Sequence, residues 1–349
     1  MSATISIAMA TFNGEKYLRE QLVSFAKQTI LPLELVVCDD CSTDSTASII
    51  NNFAVYAPFP VRFYRNDVNL GFADNFFKAA KLCTGEWIAF SDQDDIWLPN
   101  KLAIVQRAVE NSPCGDLMLV AHTSLVADQN LRMNGKRLPS FSRDRRKGRK
   151  HNYPVFVVAG FSIVFRSLLV RSFDPQLRPR FCNEVKRIGH DYWISILANT
   201  LGTSCYLKQP LAIWRRHESA MTTSGQIDAV TDTSVISKIN KSRRSLSASQ
   251  YFVESTNISI LADSLASLYN NIENEEFGSR LVDSAADLVC LADSLTRRGK
   301  LYESSTHLER LKSFIRLLRA GAYGTSRYRS LSVNSLLKDV LFAFGFLRA

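Results

Sequence analysis

Long hydrophobic runs are missing from this chain, and that absence sets the first boundary. The longest apolar stretch, residues 155–165, is broken by Gly160 and Ser162. It falls well short of the roughly 20 residues that a bilayer-crossing helix needs. A basic, apolar leader is also missing: residues 1–9 run straight into a strand pattern, so a cytoplasmic protein is expected. Cysteine is sparse, with seven residues scattered in odd number along 349, which argues against a disulfide framework and for a reducing compartment. Cys38 and Cys41 form a lone Cys-x-x-Cys with no second pair to complete a zinc site. The two aspartates between them raise a thiol pKa, and the pair reads as incidental.

What is present is ordinary globular material: 46% hydrophobic and 22% charged residues, in a chain long enough for one catalytic domain and a substantial appendage. The net charge of +10 is unevenly placed. Residues 134–150 carry +7 and residues 297–349 carry +8, which leaves −5 for the remainder. Basicity confined to two segments points to local anionic contacts rather than a nucleic-acid-coated surface.

Up to about residue 125 the chain alternates short apolar runs with helical periodicity. Strands are expected at 5–9, 34–38, 61–64, 87–91 and 117–121, and helices at 15–28, from a Ser42 or Thr43 cap to about 53, at 71–83 and at 100–111. Such alternation implies an α/β fold, a mostly parallel sheet with helices on both faces. Ligands of such sheets bind beyond the carboxyl ends of the strands, which places Thr11, Asp39 and Asp92 around one crevice. Residues 134–152 read as a long basic loop, and 153–165 as a strand in which Gly160 allows close approach of a ligand or backbone. A helix over 189–201 carries His190 and Asp191 in its first turn, and 211–215 is a short extended segment. Beyond about 225, Ile258, Leu261, Leu265 and Leu268, then Leu281, Leu288, Leu291 and Leu295, recur at helical spacing. The expected division is a catalytic domain over 1–225 and a helical region over 226–349.

The most informative segment is Asp92-Gln93-Asp94-Asp95-Ile96-Trp97, at the exit of a buried strand. Carboxylates so crowded repel one another unless a cation neutralises them, and hard cations such as Mg²⁺ or Mn²⁺ take carboxylate oxygens together with substrate phosphates. A polar turn capping the next helix is the alternative for an isolated Asp-x-Asp. Three further segments accompany it: Thr11-Phe12-Asn13-Gly14-Glu15-Lys16-Tyr17-Leu18, Val37-Cys38-Asp39-Asp40-Cys41-Ser42-Thr43-Asp44, and His190-Asp191-Tyr192-Trp193 followed by Trp214-Arg215-Arg216-His217. In this order, over roughly residues 3–225, they resemble family 2 glycosyltransferases, in particular their rhamnosyltransferase-like branch.

The resemblance implies a GT-A fold and an inverting, metal-dependent transfer of a sugar, with rhamnose expected, from a dTDP- or UDP-sugar to a growing bacterial surface glycan. Thr11, Asp39, Asp40, Asn69 and Asp92 would hold the nucleoside. Asp94, with Asp92 and His217, would hold Mg²⁺ or Mn²⁺. Arg215, Arg216, Gly160 and His190 would border the diphosphate and acceptor, and Asp191 would be the general base. Arg216 stands at a Gln position of the family pattern, and Tyr192 replaces a Trp. The acceptor implied is a glycan, in many such enzymes linked to a polyprenyl diphosphate. Leu308, Leu311, Ile315 and Leu318 form an apolar stripe flanked by Arg310, Lys312, Arg316 and Arg319. That pattern suits either an anionic membrane surface or packing on the catalytic domain with a solvated basic face. Two rivals are a sugar nucleotidyltransferase, which typically carries a glycine-rich basic loop where this chain has Ala10-Thr11-Phe12-Asn13-Gly14, and a nucleic-acid-binding protein using 134–150. In the latter segment only Phe141 interrupts the charge, so a stacking platform is lacking and no nucleic acid is expected.

Overall fold

The structure is a computed structural model and describes residues 2–112, 115–139, 141, 143–147, 158–182, 184–218, 247–272, 274–323, 331 and 333–344. The chain forms two compact units, one of Met1–Gln176 with Gly189–Met221, the other of Leu177–Ile188 with Thr222–Ala349.

In the first unit, β1 (Ile5–Thr11), β2 (Glu34–Asp39), β3 (Val61–Arg65) and β4 (Trp87–Ser91) alternate with α1 (Leu18–Ala26), α2 (Thr46–Tyr56) and α3 (Phe72–Leu82). Then follow β5 (Ile96–Trp97), α4 (Lys101–Glu110), β6 (Leu117–Ala127), β7 (Met133–Arg137), β8 (Arg145–Lys147), β9 (Ile163–Arg166), α5 (Leu168–Arg171), α6 (His190–Leu201) and β10 (Thr203–Arg215). The sheet runs β3-β2-β1-β4-β9-β6-β10-β5, with β7 on β6 and β8 on β10. Its β3-β2-β1-β4 half and the β6/β10 pair are parallel, while β9, β5, β7 and β8 join antiparallel. Every residue of β2 and β4 is buried, as strands covered on both faces require. The core gathers Ile7, Met9, Leu35, Val37 and Ala89 of the strands with Leu18, Leu22, Phe25, Ile50 and Leu102 of the helices.

Several expectations need correction. Neither Ser42 nor Thr43 caps α2; Ser45 holds the cap position without a side-chain cap bond, and Asp44 Oδ1 accepts the Thr46 N–H at 3.0 Å. Ser42 turns inward and donates to Asp39. The basic segment is not simply a loop, because β7 and β8 lie in it. Arg146 is also occupied there, donating to the carbonyls of Ala108 and Asn111 at the carboxyl end of α4. The expected strand over 153–165 begins only at Ile163; Gly160–Ser162 is a 3-10 turn, and 153–157 lie outside the described residues. The extended segment expected at 211–215 is the end of a 13-residue strand.

In the second unit, α7 (Ala248–Leu268) and α8 (Glu275–Glu303) bury the leucine faces read from the sequence, and α9 (His307–Arg319) and α10 (Val333–Ala343) follow. Asn274 caps α8 through its side chain, and Thr306 with Glu309 closes a capping box on α9. The Cys182 N–H donates to Asn257 Oδ1 at 2.8 Å, fastening the 177–188 segment to α7. Among the described residues no helix is long and apolar enough to cross a membrane.

Candidate active site

Register assembles the site. Thr11, the last residue of β1, lies opposite Asp39, the last of β2, and Met9 lies opposite Ser91, so the acidic turn leaves β4 beside them. Asp39 is fully buried; its Oδ1 accepts the hydroxyls of Thr11 at 2.9 Å and Ser42 at 2.5 Å, and its Oδ2 accepts the Ser42 N–H at 3.0 Å. Asp40 turns toward the start of α3 instead. Its carboxylate accepts the N–H groups of Leu70 and Gly71 at 2.7 and 2.8 Å and the Asn66 amide at 2.7 Å. Asn69 donates to the Asp40 carbonyl at 3.1 Å, so Asp40 shapes the 69–71 loop that borders the crevice.

Past β4, Asp92 is half-buried, and burial, followed by the charges of Asp94 and Asp191, pushes its carboxyl up to about 8. Asp95 is fully buried; burial and its two acidic neighbours hold its pKa well above the usual range. Its Oδ1 accepts the Arg215 N–H at 3.0 Å, while Oδ2 is enclosed with no hydrogen-bond partner. The β5/β10 pairing carries the chain back to this turn, and His217 Nε2 meets Asp94 Oδ2 at 2.8 Å. Arg215, 3% exposed, donates to the carbonyls of Asp94 and Gln129 and pairs with Glu20. The Arg216 guanidinium lies over Trp214 at 4.6 Å.

Asp191 sits in the first turn of α6, where the helix dipole favours a carboxylate, and its Oδ1 accepts the Tyr192 N–H at 2.8 Å. Its charge is felt at Asp92. His190, expected at the diphosphate or acceptor, is instead packed away at 5% exposure. Its ring stacks on Phe76 at 4.1 Å and meets the Phe90 and Phe72 rings edge-on. Gly160 serves this packing: a Cβ there would lie 2.5 Å from His190 Nε2, so the close approach expected at Gly160 is to an imidazole. His190 and Gly160 thus seat the start of α6.

The sequence reading missed three contributors. Tyr17, quoted in the sequence only as part of the Thr11–Leu18 segment, holds its ring 4.5 Å from the Arg215 guanidinium and 4.7 Å from the His217 ring. Glu20, one turn on, pairs with Arg215. Lys101 is wholly buried, its Nζ 3.6 Å from the Trp97 ring centroid and donating to the Phe161 carbonyl at 2.8 Å. Burial drives its pKa well down, against the pull of Asp95 and Asp92. The signal for Tyr17 was its place in the Thr11–Leu18 segment; nothing local marks a lysine as buried. A cavity of about 380 Å³ opens beside this cluster, lined by residues including Lys16, Tyr17, Glu20, Asn130 and Arg215.

Among the described residues, no three His, Cys, Asp or Glu side chains gather closely enough to hold a metal ion by themselves. The donor chemistry still suits a hard cation. The His217 imidazole meets the Asp94 carboxylate at 2.8 Å, and Asp92 lies near enough to feel the Asp94 charge. Hard cations at phosphate sites take one or two carboxylates and draw their remaining ligands from water and phosphate.

The profile described as Glycosyl transferase family 2 matches residues 6–173. An uncharacterized glycosyltransferase of Nostoc sp. is 35% identical over 128 residues, 36% of this chain and 38% of the relative. The dTDP-rhamnosyl transferase RfbG of Shigella flexneri is 34% identical over 120 residues, 33% of this chain and 42% of the relative. The matched region thus spans well under half the length of these curated relatives. Among solved structures, S. aureus TarS 1-349 in complex with UDP-GlcNAc superposes with a TM-score of 0.52 at 19% identity, covering 93% of this chain and 89% of that one. That likeness speaks to the fold, which is of the GT-A nucleotide-diphospho-sugar transferase type. Over residues 6–173, just under half of its length, this chain is thus similar to glycosyl transferase family 2.

Proposed function

We propose that the protein is an inverting glycosyltransferase that moves a sugar from a pyrimidine-nucleotide diphosphate to a hydroxyl of a growing bacterial surface glycan. The carrying observation is that Thr11 and Asp39, with Asp92 and Asp94, lie at the carboxyl ends of neighbouring parallel strands, with Asp191 close enough for its charge to raise the Asp92 pKa. Asp39 and Thr11 line the nucleoside end, and the 69–71 loop held by Asp40 borders it. Asp92, Asp94 and His217 would hold Mg²⁺ or Mn²⁺, which supplies neutralisation of charge developing on the leaving diphosphate. Arg216 stands near that charge, while Arg215 acts from behind by fixing the Asp94 carbonyl. Asp191 takes the acceptor hydroxyl proton as that oxygen attacks the anomeric carbon.

The dTDP-rhamnosyl transferase among the relatives supports rhamnose as the sugar, and relatives named as glucosyl- and abequosyltransferases keep the donor panel broad. One relative's name specifies a diphosphoundecaprenol-linked acceptor, which supports a polyprenyl-diphosphate-linked glycan here and work at the inner face of a membrane. The outward side of α9 suits that place: Leu308, Ile315 and Leu318 are exposed beside Lys312, Arg316 and Arg319.

The test is turnover of dTDP-, UDP- and GDP-sugars with Mn²⁺ or with EDTA. Pyrimidine donors should be consumed only with metal. Asp191→Asn should lose about 10²–10⁴-fold in turnover while retaining nucleotide binding, the usual worth of a general base. Full activity in excess EDTA would overturn the metal assignment. An Asp191→Asn variant within a few-fold of wild type would place the base elsewhere.

A further inference from the structure

The geometry points to Gln93 as a positioning residue that fixes the spacing between the nucleoside end and the acidic end of the crevice. The loop after β1 is anchored in an uncommon way. Four consecutive backbone N–H groups are each received by a side chain from elsewhere. Phe12 donates to Gln93 Oε1 at 2.9 Å, Asn13 to Ser42 Oγ at 2.8 Å, Gly14 to Thr46 Oγ1 at 2.8 Å and Glu15 to Asp44 Oδ2 at 3.0 Å. Three of these acceptors belong to the 42–46 segment, which holds the loop against β2 and α2. The fourth belongs to the acidic turn.

Gln93 is bound from both ends of its amide. Its Nε2 donates to the Phe12 carbonyl at 3.0 Å while Oε1 accepts the Phe12 N–H. A carboxamide supplies both donor and acceptor and so can pair with the N–H and C=O of a single backbone residue as a neighbouring strand would. Glutamate lacks the donor, and an aliphatic side chain lacks both. Gly14 completes the fit, since a Cβ there would lie 2.4 Å from Gln93 Oε1 and 2.6 Å from its Cδ. Glycine at 14 and glutamine at 93 are therefore matched, although 79 positions separate them.

The inference rests on the donor reading above. One ligand must reach Thr11 and Asp39 with its nucleoside and Asp92 and Asp94 with its diphosphate. A tether between Thr11's neighbour Phe12 and the residue between those aspartates sets the distance the donor has to match. Loosening it costs preorganisation of the binding frame and leaves the reacting groups in place.

The experiment is a double-mutant cycle on the full chain using Gln93→Ala and Gly14→Ala, read by donor KM and kcat and by calorimetric binding of UDP and dTDP. Losing two neutral hydrogen bonds corresponds to about a tenfold to hundredfold effect. Gln93→Ala should therefore raise donor KM and nucleotide Kd by about that much, with kcat within about threefold, the signature of lost binding preorganisation. Gly14→Ala should do similar harm alone and add less than about twofold once Gln93 is alanine, because the clash has been removed. Amide hydrogen exchange at Phe12 should quicken in Gln93→Ala without any ligand. Unchanged KM and exchange in Gln93→Ala, or two substitutions whose effects simply multiply, would overturn the role of Gln93. Wild-type protein that binds neither nucleotide would instead overturn the donor reading and take this inference with it.

Discussion

His122 shows how little a residue's identity says before its surroundings are known. From the sequence it has no partner at metal-ligand spacing and reads as ordinary. In β6 it is fully buried, with Nδ1 2.8 Å from the Thr123 carbonyl and Nε2 enclosed without a hydrogen-bond partner. Burial, and then the nearby Lys101, hold its pKa well below the usual value. An unfolded histidine titrates near 6.5, so below that pH the unfolded chain takes up a proton that the folded chain refuses. Stability from this residue is complete above about pH 6.5 and is lost as pH falls toward the depressed folded value. Thermal unfolding between pH 7.5 and 5 should therefore show a steeper decline for wild type than for His122→Leu; parallel declines would mean that His122 titrates normally. The acidic turn stands out in the sequence, because a polar cluster ending an apolar strand has few structural uses. Packing hid the rest: His190 lies in a cage of phenylalanines drawn from α3 and β4, and its motif position carries no trace of that cage.

Elements follow the same logic. The strands β1, β2 and β4 were legible because each is a short, mostly apolar run between turn residues, and their alternation with helices dictates a parallel arrangement. β7 and β8 were not, because apart from Met133 and Gly135 their residues are basic or polar, and their pairing is supplied by β6 and β10. The Gly160 turn was misread for a related reason, since an apolar run does not distinguish a strand from a buried turn. In the second unit, leucine spacing gave the helices, while their fastening rests on charge. Asp339 of α10 is fully buried and accepts Arg298 Nε of α8 at 3.0 Å, Tyr302 Oη at 2.6 Å and the Tyr323 hydroxyl. Arg298, counted from sequence in a basic patch, is thus an interior ion. Its guanidinium also lies 4.7 Å from the Tyr251 ring of α7. Removing one partner of a buried pair leaves the other charge uncompensated and costs about 3–5 kcal/mol. Asp339→Ala should lose that much in urea unfolding, and a loss under about 1 kcal/mol would show that Arg298 finds another partner.

The charge of the chain as a whole, +15 in two segments against −5 elsewhere, has to be reweighed by what the folded protein does with it. Arg146 serves the end of α4, Arg298 is paired inside, and Arg310 donates to the Ser304 carbonyl and lies 4.7 Å from the Phe342 ring. On α9 the packed side is Phe314 and Leu317, while Leu308, Ile315 and Leu318 stay 62%, 38% and 46% exposed. At 3.6 residues per turn these three fall on one sector, and the exposed Lys312, Arg316 and Arg319 fall on the sector beside it. An apolar strip edged by cations is complementary to an anionic lipid leaflet, and cations near such a surface contribute about 1 kcal/mol each. Three of them then amount to about 3 kcal/mol, or roughly a hundredfold in partitioning, before any apolar insertion. The 349-residue chain should co-sediment with vesicles containing phosphatidylserine at low salt and release as salt shortens the screening length. Lys312→Glu, Arg316→Glu and Arg319→Glu together should abolish that binding while donor turnover in solution stays unchanged, because none of the three lies in the first unit. Wild-type protein that ignores anionic vesicles at low salt, or a triple variant that still binds them, would remove α9 as the membrane-contact face.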